Sequence, residues 1–191
     1  MKKIMFNDRY GLTQAVIEGR KTMTRRMISG GPLLPEDRIE EASICPDGFV
    51  SIIANGGESL MEVKYSYKVG EIVAVAQNYR SCGNYHVPKE HPGWSNKLFV
   101  ISALMPYQIR ITGIKCERLQ DISNTDCLKE GIRQAYEESI LGMYGYIDHK
   151  GTGLWFNTPR KAFAALIDKV SGRGTWASNP WVVAYEFELV K

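Results

Sequence analysis

The chain has little of what marks a metal protein or a disulfide-bonded secreted protein. Its 191 residues include four cysteines, with no Cys-x-x-Cys pair, and three histidines, so the paired spacing of a structural zinc site is missing. Cys82, His86 and His91 lie close together in sequence, but a fourth ligand is not evident, and we interpret them as a coincidental grouping in a loop. The sequence therefore predicts no metal and no cofactor.

Long apolar runs are also missing. The apolar residues 4–6 are followed by polar ones, so there is no apolar segment of the length that a signal peptide needs. No stretch approaches the roughly 20 apolar residues of a membrane-spanning helix. Together with the unpaired cysteines, these absences predict a cytoplasmic protein with free thiols and no membrane partner.

Neither sign of charge dominates the composition. The 24 Lys and Arg residues outweigh the 21 Asp and Glu residues by a net charge of +3, which is too mild a bias to require a nucleic-acid partner without local clustering. Hydrophobic residues make up 44% of the chain, enough for a sizeable core. The composition predicts a single domain, residues 1–191, with loop insertions near 28–64, 80–97 and 133–157. It identifies no protein partner.

The cations cluster in one short stretch, residues 19–26, directly after a predicted helix end. Its polar side chains comprise four cations and two hydroxyls: Arg20, Lys21, Thr22, Thr24, Arg25 and Arg26. Such a set attracts an anion or an electron-rich polar ligand, although the helix dipole alone also favours cations at a helix C-terminus. Lys21 and Thr24 are a base and a nucleophile that would share a face on a helical turn and point apart on a strand.

Apolar periodicity and turn residues predict more strands than helices. The predicted strands are residues 4–6, 50–53, 60–65, 71–76, 98–104, 107–112 and 181–189. Three helices are predicted between caps and stop signals: Asn7 or Asp8 to Gly19, Ser123 to Gly131, and Thr158 to Ser171. Residues 28–47, 81–96 and 136–157 are predicted to be irregular. Because strands and helices do not alternate, we predict an α+β fold, a small mixed β-barrel of five to six strands with about three flanking helices.

Glu130 is predicted to lie in the last turn of the second helix, directly before Gly131. The carbonyl end of a helix disfavours a carboxylate. A Lys or Arg from another part of the chain is therefore expected to compensate Glu130.

Several motifs together resemble ASCH domains of the PUA-like superfamily, in particular their phage and prophage members. Residues 19–26 match the signature Gly-x-Lys-x-x-Thr-x-Arg, at the end of a helix that follows Phe6 and Asn7. Three further segments are similar: residues 67–72, a turn into a barrel strand; residues 118–132, a strand-to-helix segment; and residues 179–187, a closing strand. These anchors, in this order, span most of the chain.

The resemblance implies a pseudobarrel related to RNA-binding PUA domains, with a cleft beside the signature. One branch of the family, the acetylcytidine amidohydrolases, removes acyl groups from the exocyclic amine of cytidine. Its Lys, Thr and Glu fall on Lys21, Thr24 and Glu130 here. Many phage relatives have an Arg-Glu pair after the barrel strand, where this chain has Ala76 and Gln77. Gln77 cannot act as an acid or a base, so it is expected only to hydrogen-bond.

Three functions stay open at this point. The first is a module that binds RNA or a modified nucleoside, with cations on phosphates and with Thr24 and an aromatic ring on a base. Besides Lys21 and Thr24, its expected ligand contacts are Arg20, Arg25, Arg26, Gln77 and Tyr79.

The second function is a metal-independent amidohydrolase. Lys21 would activate Thr24 or a water molecule, and Glu130 would position the lysine or carry the proton. Arg25 or Arg26 would stabilise the developing oxyanion. In the third alternative, Lys21 and Glu130 form an ion pair that ties the helix to the barrel.

Overall fold

The computed structural model describes residues 1–28, 39–54, 59–84 and 86–190, and these residues form a mixed α+β fold. The α-helices are α1 (Leu12–Ile17), α2 (Asn124–Lys129), α3 (Pro159–Ser171) and α4 (Thr175–Ser178). The strands are β1 (Lys3–Ile4), β2 (Met23–Met27), β3 (Ile39–Ile44), β4 (Phe49–Ala54), β5 (Ser59–Lys64), β6 (Ile72–Val75), β7 (Gln108–Arg118), β8 (Arg133–Gln134), β9 (Tyr144–Ile147), β10 (Gly153–Phe156) and β11 (Trp181–Leu189).

A five-stranded sheet in the order β1-β6-β7-β11-β2 carries the centre of the core. β1 runs parallel to β6, and the other neighbours are antiparallel. The long pair of β7 and β11 contains the period-2 patterns predicted for residues 107–112 and 181–189, so both predictions are confirmed. Buried side chains of this sheet, such as Ile109, Ile111 and Tyr185, belong to the same apolar cluster as Phe163 and Leu166 of α3.

Two smaller sheets lie in segments that the sequence marks as insertions. β3, β4 and β5 form an antiparallel meander, which confirms the predicted hairpin within residues 50–65; its connection, residues 55–58, lies outside the described residues. β10, β9 and β8 form the third sheet.

The α+β class is confirmed, but the closed barrel is not. The described strands form three open sheets, and the main sheet ends at β1 on one side and β2 on the other without a pairing between them. Four α-helices, rather than about three, accompany the described strands. The main sheet nevertheless contains five strands, at the lower end of the predicted number.

Three local predictions are wrong, each for a physical reason. Residues 98–104 form short 3-10 turns rather than a strand, because the Lys3 ammonium binds the carbonyls of Lys97, Leu98 and Val100 that a strand would pair. The predicted loop 136–157 contains the β9–β10 hairpin. The predicted irregular segment 28–47 contains β3, and its residues 29–38 lie outside the described part.

The predicted helix boundaries are confirmed for α2, for α3 and for the end of α1, but the predicted start of the first helix is wrong. Asn7 accepts a hydrogen bond from the backbone of Arg9 and caps a 3-10 turn, Asp8–Tyr10, and α1 begins only at Leu12, because Gly11 with a φ of 63° separates the two. Gly19 has a φ of 71°, the left-handed conformation expected after a helix end. Ser123 accepts from the Asp126 N–H at 3.0 Å. Thr158 caps α3, with Pro159 in its first turn. In the described part of the chain, no helix combines the length and the apolar character needed to cross a membrane.

Candidate functional site

The site begins where the chain leaves α1 and enters the edge strand β2. Backbone hydrogen bonds fix this segment on both sides: the Lys21 N–H binds the Ala15 carbonyl of α1, and the Thr22 N–H binds the Lys129 carbonyl at the end of α2, both at 2.9 Å. β2 then pairs with β11, with Thr24 opposite Tyr185. The stretch 19–26 thus connects two helix ends to the main sheet and brings Lys21 beside Glu130.

The ammonium group of Lys21 is buried and fully hydrogen-bonded. Its Nζ lies 2.6 Å from Glu130 Oε2, 2.8 Å from the Glu130 carbonyl and 2.7 Å from the Met23 carbonyl, so each of its three N–H donors has an acceptor. Its side chain is 2% exposed. The prediction that a cation compensates Glu130 at the end of its helix is confirmed.

Arg25 binds the other oxygen of the same carboxylate. Its Nη1 lies 3.0 Å from Glu130 Oε1, its Nη2 lies 2.6 Å from Glu117 Oε1 and 3.2 Å from Asp126 Oδ2. Lys115 completes the group, since its Nζ lies 3.0 Å from both Glu117 and Asp126. We call these six residues the charge network: Lys21, Arg25, Lys115, Glu117, Asp126 and Glu130. Its three cations balance its three anions, so Lys21 and Arg25, two of the four cations of the basic stretch, are neutralised by carboxylates of α2, its C-terminal end and β7.

Burial affects the acid–base properties of the two internal cations differently. Burial lowers the pKa of Lys21 from its ordinary value, an effect that Glu130 opposes and that Arg26 and Arg25 reinforce. For Arg25, burial also works to lower the pKa, but Glu130 and Glu117 outweigh it and raise the pKa. Lys21 is therefore the member of this pair whose proton is more readily given up, and Arg25 stays a fixed cation.

Asp126 gives the charge network a defined acid sensitivity. Burial works to raise the pKa of Asp126, but Lys115 and Arg25 outweigh it and hold the pKa below its ordinary value. A carboxyl group whose folded-state pKa is depressed contributes stability above its unfolded pKa, near 3.9, and loses that contribution as the pH falls through the folded-state pKa.

We therefore expect Asp126→Asn to lower the free energy of unfolding by about 1–3 kcal/mol at neutral pH, since two cations lose a charged acceptor. The deficit relative to the wild type should shrink as the pH falls from about 5 to about 2. Urea unfolding followed by circular dichroism across that range measures it. Asp121→Asn is the matched control, because Asp121 is exposed and has no ion pair with a described residue. A deficit that is independent of pH would contradict this explanation.

A cavity of about 160 Å³ opens beside the charge network. Its lining combines two kinds of side chain. The polar ones are Asn7, Lys21, Thr24, Arg25, Arg26, Glu130 and Ser171. The apolar ones are Met5, Phe6, Leu12, Met27, Phe163, Leu166, Ile167 and Val170, of which the last four come from α3. The apolar residues of α3 thus differ in exposure. Phe163 and Leu166 are buried, and Val170 lies at the cavity rim.

Thr24 and Lys21 line the same cavity although β2 is a strand. The strand begins only at Met23, so the alternation that would separate the two side chains does not extend back to Lys21. Thr24 is 5% exposed, and its hydroxyl forms no hydrogen bond with the described residues. That hydroxyl is available to a ligand in the cavity.

The remaining residues predicted to contact a ligand are distributed over three places. Arg26 lines the cavity and is exposed, with Nη2 on the Met5 carbonyl. Arg20 lines a different cavity and pairs with Glu18. Gln77 is buried, and its Oε1 has no hydrogen-bond partner among the described residues. Tyr79 packs in a separate apolar cluster against Gly93 and beside His91.

The sequence did not identify three acidic and basic members of the charge network, Lys115, Glu117 and Asp126. Lys115 and Glu117 alternate with the half-buried residues Ile114 and Cys116 on β7, so they read as the solvent face of a strand. Asp126 lies three residues after the Ser123 cap, so in the sequence it reads as part of a helix start. Of the network residues, only Glu130 could be found from its position in the sequence. A carboxylate at a helix end needs a cation nearby, and Glu130 was predicted to lie at one.

The Nδ1 atom of His91 accepts a hydrogen bond from the Gly93 N–H at 2.9 Å. Within the ranges that the structure describes, no three His, Cys, Asp or Glu side chains are grouped as a metal site would require.

Burial raises the pKa of the Cys127 thiol to about 12 and that of Cys116 to about 11, which leaves both as unreactive thiols at neutral pH.

Comparison of the chain with models of protein families, with curated proteins and with solved structures finds no match.

Proposed function

We propose that the chain is an ASCH-type, PUA-like protein whose cavity at Lys21, Thr24 and Glu130 binds one nucleobase, as a nucleoside or as an unpaired residue of RNA. The observation that carries this proposal is the cavity's size combined with a lining of both polar and apolar side chains. Its volume of about 160 Å³ is close to the ~150 Å³ of a cavity that holds a benzene ring. A single heterocycle fits, whereas a stretch of polynucleotide does not.

The polar groups of the cavity lining offer hydrogen-bond acceptors and donors to the edge of a base. Each oxygen of Glu130 accepts one cation, from Lys21 or Arg25, and keeps further lone-pair capacity. Glu130 is thus an acceptor for an exocyclic amine. The Thr24 hydroxyl and the Asn7 amide supply donors for a ring nitrogen or carbonyl. This arrangement matches the edge of cytosine better than that of uracil, which presents a carbonyl where cytosine presents an amine.

The apolar part of the lining suits the face of a flat ring. It includes Phe6 and the α3 residues Leu166 and Ile167. Burying a planar heterocycle against apolar side chains while its edge is hydrogen-bonded is the usual composition of a small-molecule site.

Phosphate binding along the whole stretch 19–26 is not favoured by this geometry. Arg25 is enclosed by three carboxylates, and Lys21 has no free donor. Arg26 is the exposed cation at this cavity, and it is placed to meet the sugar or phosphate of a bound nucleotide. Selectivity is therefore expected to come from the base rather than from the backbone.

Calorimetric titration with cytidine, uridine and adenosine tests the proposal. We expect cytidine to bind at least about tenfold more tightly than uridine, because uridine would leave the Glu130 carboxylate facing a carbonyl. Thr24→Val should weaken cytidine binding by about tenfold through loss of one hydrogen bond in a buried site. Arg20→Gln, in the same stretch but in another cavity, is the control and should have no effect. Equal affinities for the three nucleosides would contradict the proposal.

An amidohydrolase is the second candidate, and the lowered pKa of buried Lys21 beside Glu130 favours it. If the Lys21 proton passes to Glu130 over the 2.6 Å contact, the neutral amine can take a proton from Thr24 or from water. The oxygen then attacks the carbonyl of an acylated exocyclic amine. Arg26 stabilises the oxyanion, the C–N bond breaks, and the amine leaves with a proton from the Lys21–Glu130 pair. On the Thr24 path the acyl group remains on the Thr24 oxygen as an ester, which a water molecule then hydrolyses. On the water path the attacking water is itself the water consumed. Both give a carboxylic acid and cytidine.

A further inference from the structure

A second cavity, of about 610 Å³, is lined by sequence neighbours of Lys21 and Glu130 but not by those two residues. It lies between the end of α1, the end of α2 and the small sheet of β8, β9 and β10. Its apolar lining includes Leu128, Ile132, Ile140 and Ile147. The volume is within the usual range of small-molecule sites, about 300–1,000 Å³.

An indole ring forms one wall of this cavity. Trp155 of β10 stands opposite Gly145 of β9 in the strand register. A Cβ at Gly145 would lie 2.8 Å from the indole, and a Cβ at Gly153 would lie 2.6 Å from it, closer than non-bonded carbon atoms approach. The ring therefore lies over two residues that lack side chains, and the hairpin holds it as a fixed flat surface beside the cavity.

Two guanidinium groups, Arg20 and Arg133, line the same cavity. Glu18 holds Arg20, through Nε at 2.7 Å and Nη2 at 2.5 Å. The Arg133 guanidinium forms no hydrogen bond or ion pair with another described residue, although the Arg133 backbone pairs with Gly145 of β9. Burial and the neighbouring Arg20 both lower the pKa of Arg133, with Glu18 opposing them. The cavity thus contains a cation beside a like charge, without a counter-ion of its own.

The acidic residue on the lining is Glu137. Its side chain is exposed, and no ion pair joins it to Arg133 in the described part of the chain. It therefore leaves the Arg133 guanidinium available to an anion from solution.

We propose that this second cavity is a binding site for a flat aromatic ring that carries an anionic group, with the ring on Trp155 and the anion on Arg133 and Arg20. Stacking of a ring on an aromatic side chain contributes roughly 1–3 kcal/mol in nucleic-acid-binding proteins. An arginine binds a phosphate or a carboxylate through two parallel hydrogen bonds. This site is independent of nucleobase binding beside Lys21, because the two cavities share no lining residue.

The test uses calorimetric titration of the intact chain with 1-naphthyl phosphate, 1-naphthoate, 1-naphthol and inorganic phosphate. We expect either or both naphthyl anions to bind, and naphthol and inorganic phosphate each to bind at least about tenfold more weakly. Tighter binding of the phosphate than of the carboxylate would identify a phosphate ester as the ligand class, and the reverse a carboxylate.

Arg133→Gln should weaken binding of the naphthyl anion by about tenfold, and Trp155→Leu should weaken it by a similar factor. Arg133 is exposed, so its replacement is not expected to disturb folding, which thermal unfolding checks. Thr24→Val and Arg110→Gln are controls in the other cavity and on β7, and both should bind as the wild type does. Absence of binding by the wild type, or unchanged affinity in Arg133→Gln, would overturn the proposal.

Discussion

Replacing Glu130 by glutamine is expected to lower the free energy of unfolding by about 3–5 kcal/mol, the usual cost of leaving buried charge without its partner. Glu130 neutralises two cations, since Lys21 binds one of its oxygens and Arg25 the other. Glutamine keeps the shape and one acceptor oxygen but removes the negative charge, so the cluster is left with a surplus cation in the protein interior.

Lys21→Met should be less costly, about 1–3 kcal/mol, although it removes a member of the same ion pair. Glu130 would still be bound by Arg25, and methionine replaces the aliphatic stem of the lysine with a side chain of similar length. If Glu130→Gln lowers the free energy of unfolding more than Lys21→Met does, Glu130 is the anion that the two cations of the charge network share. The order of the two costs decides this, rather than either value.

Urea unfolding at neutral pH measures both costs. The matched control is Glu186→Gln, because Glu186 pairs with Lys129 at 3.0 Å while 43% of its side chain is exposed. An exposed pair of this kind contributes about 0–1 kcal/mol. If Glu130→Gln were no more costly than Glu186→Gln, the charge network would not be a stabilising element.

The second large effect concerns hydrolysis. If the chain is an amidohydrolase, Lys21→Met is expected to reduce release of cytidine from cytidines acylated on the exocyclic amine by about 10³-fold, the middle of the range for loss of a general base. Thr24→Val should reduce it by a comparable factor if Thr24 is the nucleophile, and only slightly if a water molecule is. Mass spectrometry of the released nucleoside and acid measures the rate.

Thr24→Val also separates chemistry from folding. The Thr24 hydroxyl has no partner among the described residues, and valine has nearly the same shape, so the free energy of unfolding should change little. Arg20→Gln should retain full turnover. Loss of turnover in Lys21→Met only in proportion to loss of folded protein would indicate that Lys21 and Glu130 form a structural ion pair.

Local sequence signals predicted the elements that depend on short-range chemistry. The alternation along β7 and β11, the Ser123 cap and the Thr158-Pro159 helix start all act within a few residues, and all are confirmed. The need of Glu130 for a cation was also predictable, because it follows from the local position of a carboxylate at a helix end.

Features that depend on distant residues were not predictable in the same way. The glycines at 145 and 153 favoured a loop, yet they make room for the Trp155 indole in a hairpin. The apolar run at 98–104 favoured a strand, but Lys3 binds its preceding and internal carbonyls.

Arg25 shows the same limit within the site. The sequence assigned it to phosphate or oxyanion contact because it lies in a basic stretch. Its side chain is 1% exposed and is bound by Glu117, Asp126 and Glu130, which lie more than 90 positions further along the chain. Arg25 borders the cavity, but its guanidinium is bound by these carboxylates, so in the proposed site it positions Glu130 and ligand contact comes from Thr24, Glu130 and Arg26.

The most direct measurement of nucleobase binding is a map of methyl and amide chemical shifts during titration of the intact chain with cytidine. We expect concentration-dependent shifts at Thr24, Leu12 and Ile167, which line the cavity, while the indole N–H of Trp155 stays unchanged. The same titration with uridine should give smaller shifts at equal concentration. Shifts confined to residues outside the cavity, or no shifts at all, would contradict the proposal that this cavity receives a base.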